Sequence, residues 1–145
     1  MTENSLLEGR VLSWSLPVIV GRPGPDAPQL KRMLLPQGEL AQVHDGEPGM
    51  HYLALIELQA GSIRGNHYHQ VKEEFVYCLA GEVLLTVEEI TSKARASVTL
   101  RVGDLARINT GVAHTLTTLE PGQALEFSPS RFNPADIYPY PMNGV

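Results

Sequence analysis

"RGNHYHQVKEEFVYCLAG", residues 64 to 81, carries two histidines one residue apart and then a glutamate pair at 73 and 74. In a strand, alternate side chains share a face and each residue rises about 3.3 Å, so His67 and His69 point the same way with Cα atoms about 7 Å apart. Both imidazoles can then reach one ion. After a turn through "QVK", a second strand presents Glu74, Val76 and Cys78 on one face and Glu73, Phe75, Tyr77 and Leu79 on the other. Only one glutamate can join the histidines. Glu74 is the better choice: its parity partners are small and apolar, suited to a narrow barrel interior, and a carboxylate there needs a compensating charge. Glu73 then falls on the rim beside Lys72. Cys78 lies about 13 Å further along the strand, too far for the same ion, and reads as core.

Working outward, residues 29 to 128 form short β-prone runs separated by turn residues, about ten strands in the pattern of a sandwich or barrel. The breaks "PQG", "DGEPG", "AGS", "VGD", "NTG" and "EPG" contain the Gly, Pro or Asn that tight turns require. Residues 1 to 28 read as an N-terminal arm ending in the proline-rich "GRPGPDAP", and Ser, Leu and Glu over residues 3 to 12 allow a short helix there. Residues 129 to 145, with prolines at 129, 134, 139 and 141, exclude a regular helix and a central strand. That tail is expected to lie extended along the barrel, anchored by Phe132, Tyr138 and Tyr140.

The composition fits one ordinary domain: 145 residues, 43% hydrophobic and 19% charged, with 13 glycines and 11 prolines that favour turns over long helices. A net charge of −5 without any basic run argues against a nucleic-acid partner. The single cysteine forms no internal disulfide, which suits a reducing compartment, and the cytoplasm is the expected location. "MTENSLLEGRVLSWSLPVIVG" has no cationic start and is broken by Glu8 and Arg10, so no membrane segment is expected.

A fourth ligand should come from another strand crossing the same interior, and "GDLARINTGVAH", residues 103 to 114, supplies His114 after a glycine turn. At this point the residues resemble a family. Gly61 to Gly81 reads G-x5-H-x-H-x4-E-x6-G and matches the first cupin motif at every fixed position. Gly103 to His114 reads G-x5-N-x-G-x2-H and resembles the second, with Asn109 in place of the usual proline and Thr118 in place of the closing asparagine.

The resemblance implies an all-β fold, an antiparallel double-stranded β-helix or jelly-roll cupin barrel, with His67, His69, Glu74 and His114 converging on one divalent transition metal ion. Three imidazoles and a carboxylate suit Mn, Fe, Co, Ni, Zn or Cu. "RGNHYH", the preceding "YLALIELQAGS" and the tail "FNPADIYPYPM" further resemble cupins of nucleotide-sugar and capsular polysaccharide biosynthesis. That implies a sugar or other polyhydroxylated small molecule as ligand, and isomerase or epimerase chemistry by proton abstraction next to a polarised carbonyl.

For such a reaction Arg64 is the candidate contact for an anionic substrate group, and His51 is the candidate for proton transfer, with Tyr77 or Tyr52 behind it. An iron- or manganese-dependent dioxygenase or decarboxylase would use the same four ligands, and a non-catalytic ligand-binding cupin needs no turnover. Outward-facing Phe75 and Tyr77 would need cover, which points to a homodimer, and the segment with Trp14 could exchange between subunits.

Overall fold

The computed structural model describes residues 3–145. Among these the strands run in chain order as β1 (Glu3–Leu6), β2 (Val11–Ser15), β3 (Val18–Val20), β4 (Lys31–Leu35), β5 (Gly38–Gln42) and β6 (Tyr52–Leu58). Then follow β7 (Ile63–Tyr68), β8 (Glu74–Glu89), β9 (Arg95–Arg101), β10 (Asp104–Ile108), β11 (Val112–Ser128) and β12 (Tyr138–Pro139), with a 3-10 turn at Pro134–Asp136. No helix of the described residues is long and apolar enough to cross a membrane.

The main sheet has the order β1-β2-β10-β8-β11-β7-β12, with β6 added to β11 and β9 to β8, and it curls into a jelly-roll barrel. Its spine is the antiparallel pair of long strands β8 and β11, which stay together while β8 exchanges one outer neighbour, β10, for another, β9. The exchange occurs at a corner where the β8–β11 register shifts between Thr118 and Ala124. Gly81 makes that corner possible: its φ is +84°, and a Cβ there would stand 2.5 Å from the Glu120 carbonyl oxygen.

Alternation along these strands fills the interior. Val76, Cys78, Val83, Leu85 and Val87 of β8 pack there with Ile56, Leu58, Leu116 and Ala124, and burial pushes the Cys78 thiol up to about 11, leaving it a protonated core residue.

Two expectations are corrected on the outer face. Phe75 and Tyr77 do point away from the interior, yet they are buried within the chain, in a second core with Leu16, Leu105 and Phe127. The cover comes from Trp14, Leu30, Ala41, Val43 and Met50 of the N-terminal third, and Phe75 stacks on Phe127 with ring centroids 5.2 Å apart. Each large side chain so buried contributes about 1.5–3 kcal/mol. The N-terminal residues that supply this cover are strands: β2 is hydrogen-bonded to β10 within the main sheet, and β3, β4 and β5 form a small second sheet.

No helix forms over residues 3 to 12. Leu7, Glu8 and Gly9 have φ of 52°, 55° and 87°, turning β1 back onto β2 as a hairpin. The alternation of Val11 and Ser13 (buried) with Leu12 and Trp14 (half-buried) then suits β2 to the sheet.

Candidate functional site

His67 lies near the end of β7, His69 just beyond it, Glu74 opens β8, and His114 sits in β11 opposite His67. The β7–β11 pairing slips immediately after His114. Asn66 is the residue left over at that slip, and Gly65 beside it, in register with Thr115, has φ +100°; a Cβ there would lie 2.5 Å from the His114 carbonyl oxygen, so the close backbone approach depends on glycine.

The result is a cluster in which ligand atoms of His67, His69 and His114 all lie within 4.8 Å of one another. Glu74 adjoins it, with Oε2 3.0 Å from His114 Nε2 and Oε1 3.8 Å from His69 Nε2. His69, Glu74 and His114 are buried, and His67 is half-buried.

The hydrogen bonds fix which nitrogen faces inward. His69 Nδ1 is 2.8 Å from the Asp136 carbonyl oxygen, and His114 Nδ1 is 3.1 Å from that of Val112. A carbonyl only accepts, so each Nδ1 carries a proton, and whenever the ring is neutral the lone pair of Nε2 faces the cluster. Both Nε2 atoms are buried without a hydrogen-bond partner.

Lone pairs converging beside a carboxylate favour a cation; Lys72 stands on one side of Glu74, and on the histidine side two others can serve. One is a proton on His114: burial opposes it, but the Glu74 carboxylate raises the His114 pKa above its ordinary value. The other is a divalent metal ion, for which three imidazoles and one carboxylate are a fitting donor set. Burial pushes His67 down to about 4, with His114 and His69 acting in the same direction, so it is neutral near pH 7. Glu74 is held below the usual carboxylate range; burial alone would raise it, and His114 with Lys72 overcomes that.

Lys72 is a site residue the sequence reading put elsewhere. It does not keep Glu73 company on the rim: Glu73 pairs with Arg107 at 2.9 Å, while Lys72 turns inward and is buried. Its Nζ stands 3.2 Å from Glu74 Oε1, 3.2 Å from Glu126 Oε1 and 4.5 Å above the Tyr52 ring. Burial would lower its pKa, but the two carboxylates raise it, so the ammonium is retained. The signal was available, since Lys72 is two residues before Glu74. Glu126 was also missed. It is a lone acid between Leu125 and Phe127 on β11, and its pKa is raised by burial and then by the nearby Glu74.

These groups line a cavity of about 380 Å³ that also reaches Arg64, Leu116, Phe132 and Ile137. Arg64 is exposed, and its guanidinium makes only a long 3.5 Å contact with the Glu57 carbonyl. Phe132, expected as an anchor of the tail, is 58% exposed at the cavity wall and stacks on Tyr52. The other two expected anchors do hold the tail: β12 pairs with β7, Tyr138 stacks on Tyr68 at 5.1 Å, and the Tyr140 hydroxyl donates to Glu88. His51 is not brought to the cluster. It is exposed ahead of β6 with Nδ1 2.8 Å from the Pro129 carbonyl oxygen, and it does not line the cavity. Tyr77 belongs to the second core.

A barrel with inward-facing histidines from two paired strands and a glutamate from the next has the layout of a cupin, and the sequence agrees. Residues 54–128 match the family described as "Cupin domain", and the chain belongs to that family. Among curated proteins none matches the chain significantly. Solved structures show the same fold at low identity. An RmlC epimerase from Mycobacterium tuberculosis is 16% identical with a TM-score of 0.72, the match covering 94% of this chain and 72% of that one. A dTDP-4-dehydrorhamnose 3,5-epimerase from Bacillus anthracis is 10% identical with a TM-score of 0.75, covering 98% and 85%. A 3,4-ketoisomerase from Helicobacter canadensis is 13% identical with a TM-score of 0.66, covering 75% and 85%.

Proposed function

We propose that this cupin is an isomerase or epimerase of a nucleotide-linked keto sugar, moving a proton on the carbon next to a carbonyl. The observation that carries the reading is the convergence of a retained ammonium, Lys72, a neutral imidazole, His67, and the carboxylate of Glu126 in one cavity with Arg64 at its edge. Removing a proton beside a carbonyl builds negative charge on the oxygen and needs an acceptor for the proton. Arg64 suits an anionic substrate group such as a phosphate, and Phe132 offers an aromatic face to a ring. The likeness to nucleotide-sugar epimerases and ketoisomerases supports the same substrate class.

His67, His69, Glu74 and His114 are the residues that would hold a divalent ion. Such an ion would supply the Lewis acidity that polarises a carbonyl. With the imidazoles so engaged, Glu126 is the cavity's remaining proton acceptor, and Lys72 holds it in place. A second reading without an ion is favoured by one observation: Lys72 already lies 3.2 Å from Glu74, so the cavity brings its own cation. In that case Lys72 steadies the oxygen and His67 accepts the proton.

The test is incubation with dTDP-linked 4-keto sugars in D2O, with and without chelator. Deuterium appearing next to the carbonyl supports the reading, and its survival in chelator selects the metal-free version. Oxygen consumption by iron-loaded protein would assign a dioxygenase instead, and binding without exchange would assign a non-catalytic cupin. The one cysteine is buried and unpaired, which suits a reducing compartment such as the cytoplasm.

A further inference from the structure

We infer that Asp136 is the positioning residue of the site, through which the C-terminal tail sets the tautomer of His69 and the path of the loop that delivers Lys72. The inference rests on the site described above, and it holds whether the cluster works with or without an ion.

Its carboxylate gathers three consecutive main-chain amides. Oδ1 accepts from Gln70 N at 2.8 Å and Val71 N at 3.2 Å, and Oδ2 accepts from Val71 N at 3.2 Å and Lys72 N at 2.9 Å. Successive N–H groups turned to one side form a concave anion site, and here the chain fills it with its own carboxylate. The Gln70 and Val71 side chains are exposed, so these amides are what ties this stretch of the loop down. The main-chain oxygen of the same Asp136 takes the proton of His69 Nδ1 at 2.8 Å. One residue therefore governs both ends of the loop.

Asp136 is itself held. Asn133 caps the 3-10 turn, its Oδ1 accepting from Ala135 N at 3.0 Å and its carbonyl from Asp136 N at 3.0 Å. On the other side Gly111 N donates to the His69 carbonyl at 2.8 Å, so His69 is gripped by the tail and by the turn before β11. Freeing the carboxylate would let the 70–72 loop move, separate His69 Nδ1 from its acceptor and allow the proton to occupy Nε2, the atom a bound ion would need bare.

Asp136→Ala and, as a milder change, Asp136→Asn are to be compared with Tyr138→Ala, which removes the stack on Tyr68 and loosens the tail without touching the loop. Imidazole 15N spectra of metal-free protein are expected to show His69 protonated at Nδ1 in the wild type and in Tyr138→Ala. In Asp136→Ala an Nε2-protonated population and fast exchange of the 70–72 amides are expected, with Asp136→Asn intermediate. Zinc affinity, measured against a competing chelator, should fall about 10- to 100-fold in Asp136→Ala. An unchanged tautomer and slow amides in a folded Asp136→Ala or Asp136→Asn protein would overturn the inference, as would equal effects from Tyr138→Ala. If the wild type takes up no zinc, the metal reading fails and the tautomer decides the inference alone.

Discussion

His114 Nε2 and Glu74 Oε2 stand 3.0 Å apart in a site from which both residues are almost fully excluded from solvent. In the metal-free protein they titrate against each other. Glu74 is shifted below its ordinary 4.5, so its contribution is complete above about pH 4.5 and is lost as pH falls through the lower folded value. His114 is shifted above 6.5, so its contribution is complete below about pH 6.5 and is lost as pH rises through the folded value. The stability of wild type minus that of Glu74→Gln should therefore peak between about pH 4.5 and 6.5. The difference is the quantity to measure, because His67 and His69, whose pKa values are lowered, pull the wild-type curve the other way. A difference that stays flat from pH 3 to 9, by urea melts, contradicts the pairing.

Lys72 sits between two carboxylates, Glu74 and Glu126. Lys72→Met leaves both of them without their shared counter-charge, and breaking a buried pair from one side costs about 3–5 kcal/mol. A divalent cation can replace the lost charge. Thermal melts should show a large fall for metal-free Lys72→Met and a larger zinc-induced rise than in the wild type. Equal zinc-induced shifts in the two proteins would remove Lys72 from the electrostatics of the cluster.

Which residues were legible follows from the range of the interactions that place them. The alternation of His67 and His69 and the choice of Glu74 over Glu73 are local facts of strand parity, and the structure places Glu74 against the histidines accordingly. Parity also gave the outward faces of Phe75 and Tyr77, but it says nothing of what covers them, and the cover comes from residues 14 to 50. Glu126 and Asp136 were hidden because their partners are 54 and 64 to 67 positions away, and no periodicity encodes such pairings. The N-terminal hairpin was missed for a related reason. Ser, Leu and Glu tolerate a helix, and pairing of β2 with β10 decides otherwise.

His69 and His51 make a controlled comparison within one chain. His69 is buried with a bare Nε2 at the cluster, whereas His51 is exposed and tied to Pro129. His69→Ala should abolish the metal content of protein purified without added metal, and His51→Gln should leave it unchanged. Elemental analysis decides, and similar trace metal in all three proteins would argue that the cluster works without an ion.

With Phe75 and Tyr77 buried, the case for a dimer moves to β6. Leu53 and Leu55 are 70% and 60% exposed, on the face of β6 opposite to buried Ile56 and Leu58. Two large aliphatic side chains side by side on the outside of a sheet lose the transfer free energy of their apolar area to water until a second surface covers them. A two-fold dimer supplies that cover most simply, since the same patch meets itself. Light scattering should give about twice the chain mass of 15.9 kDa for the wild type. Leu53→Lys with Leu55→Lys should give the monomer mass while keeping the β-type circular dichroism, because both side chains are off the core. A wild type that runs as a 15.9 kDa particle at every concentration removes the dimer.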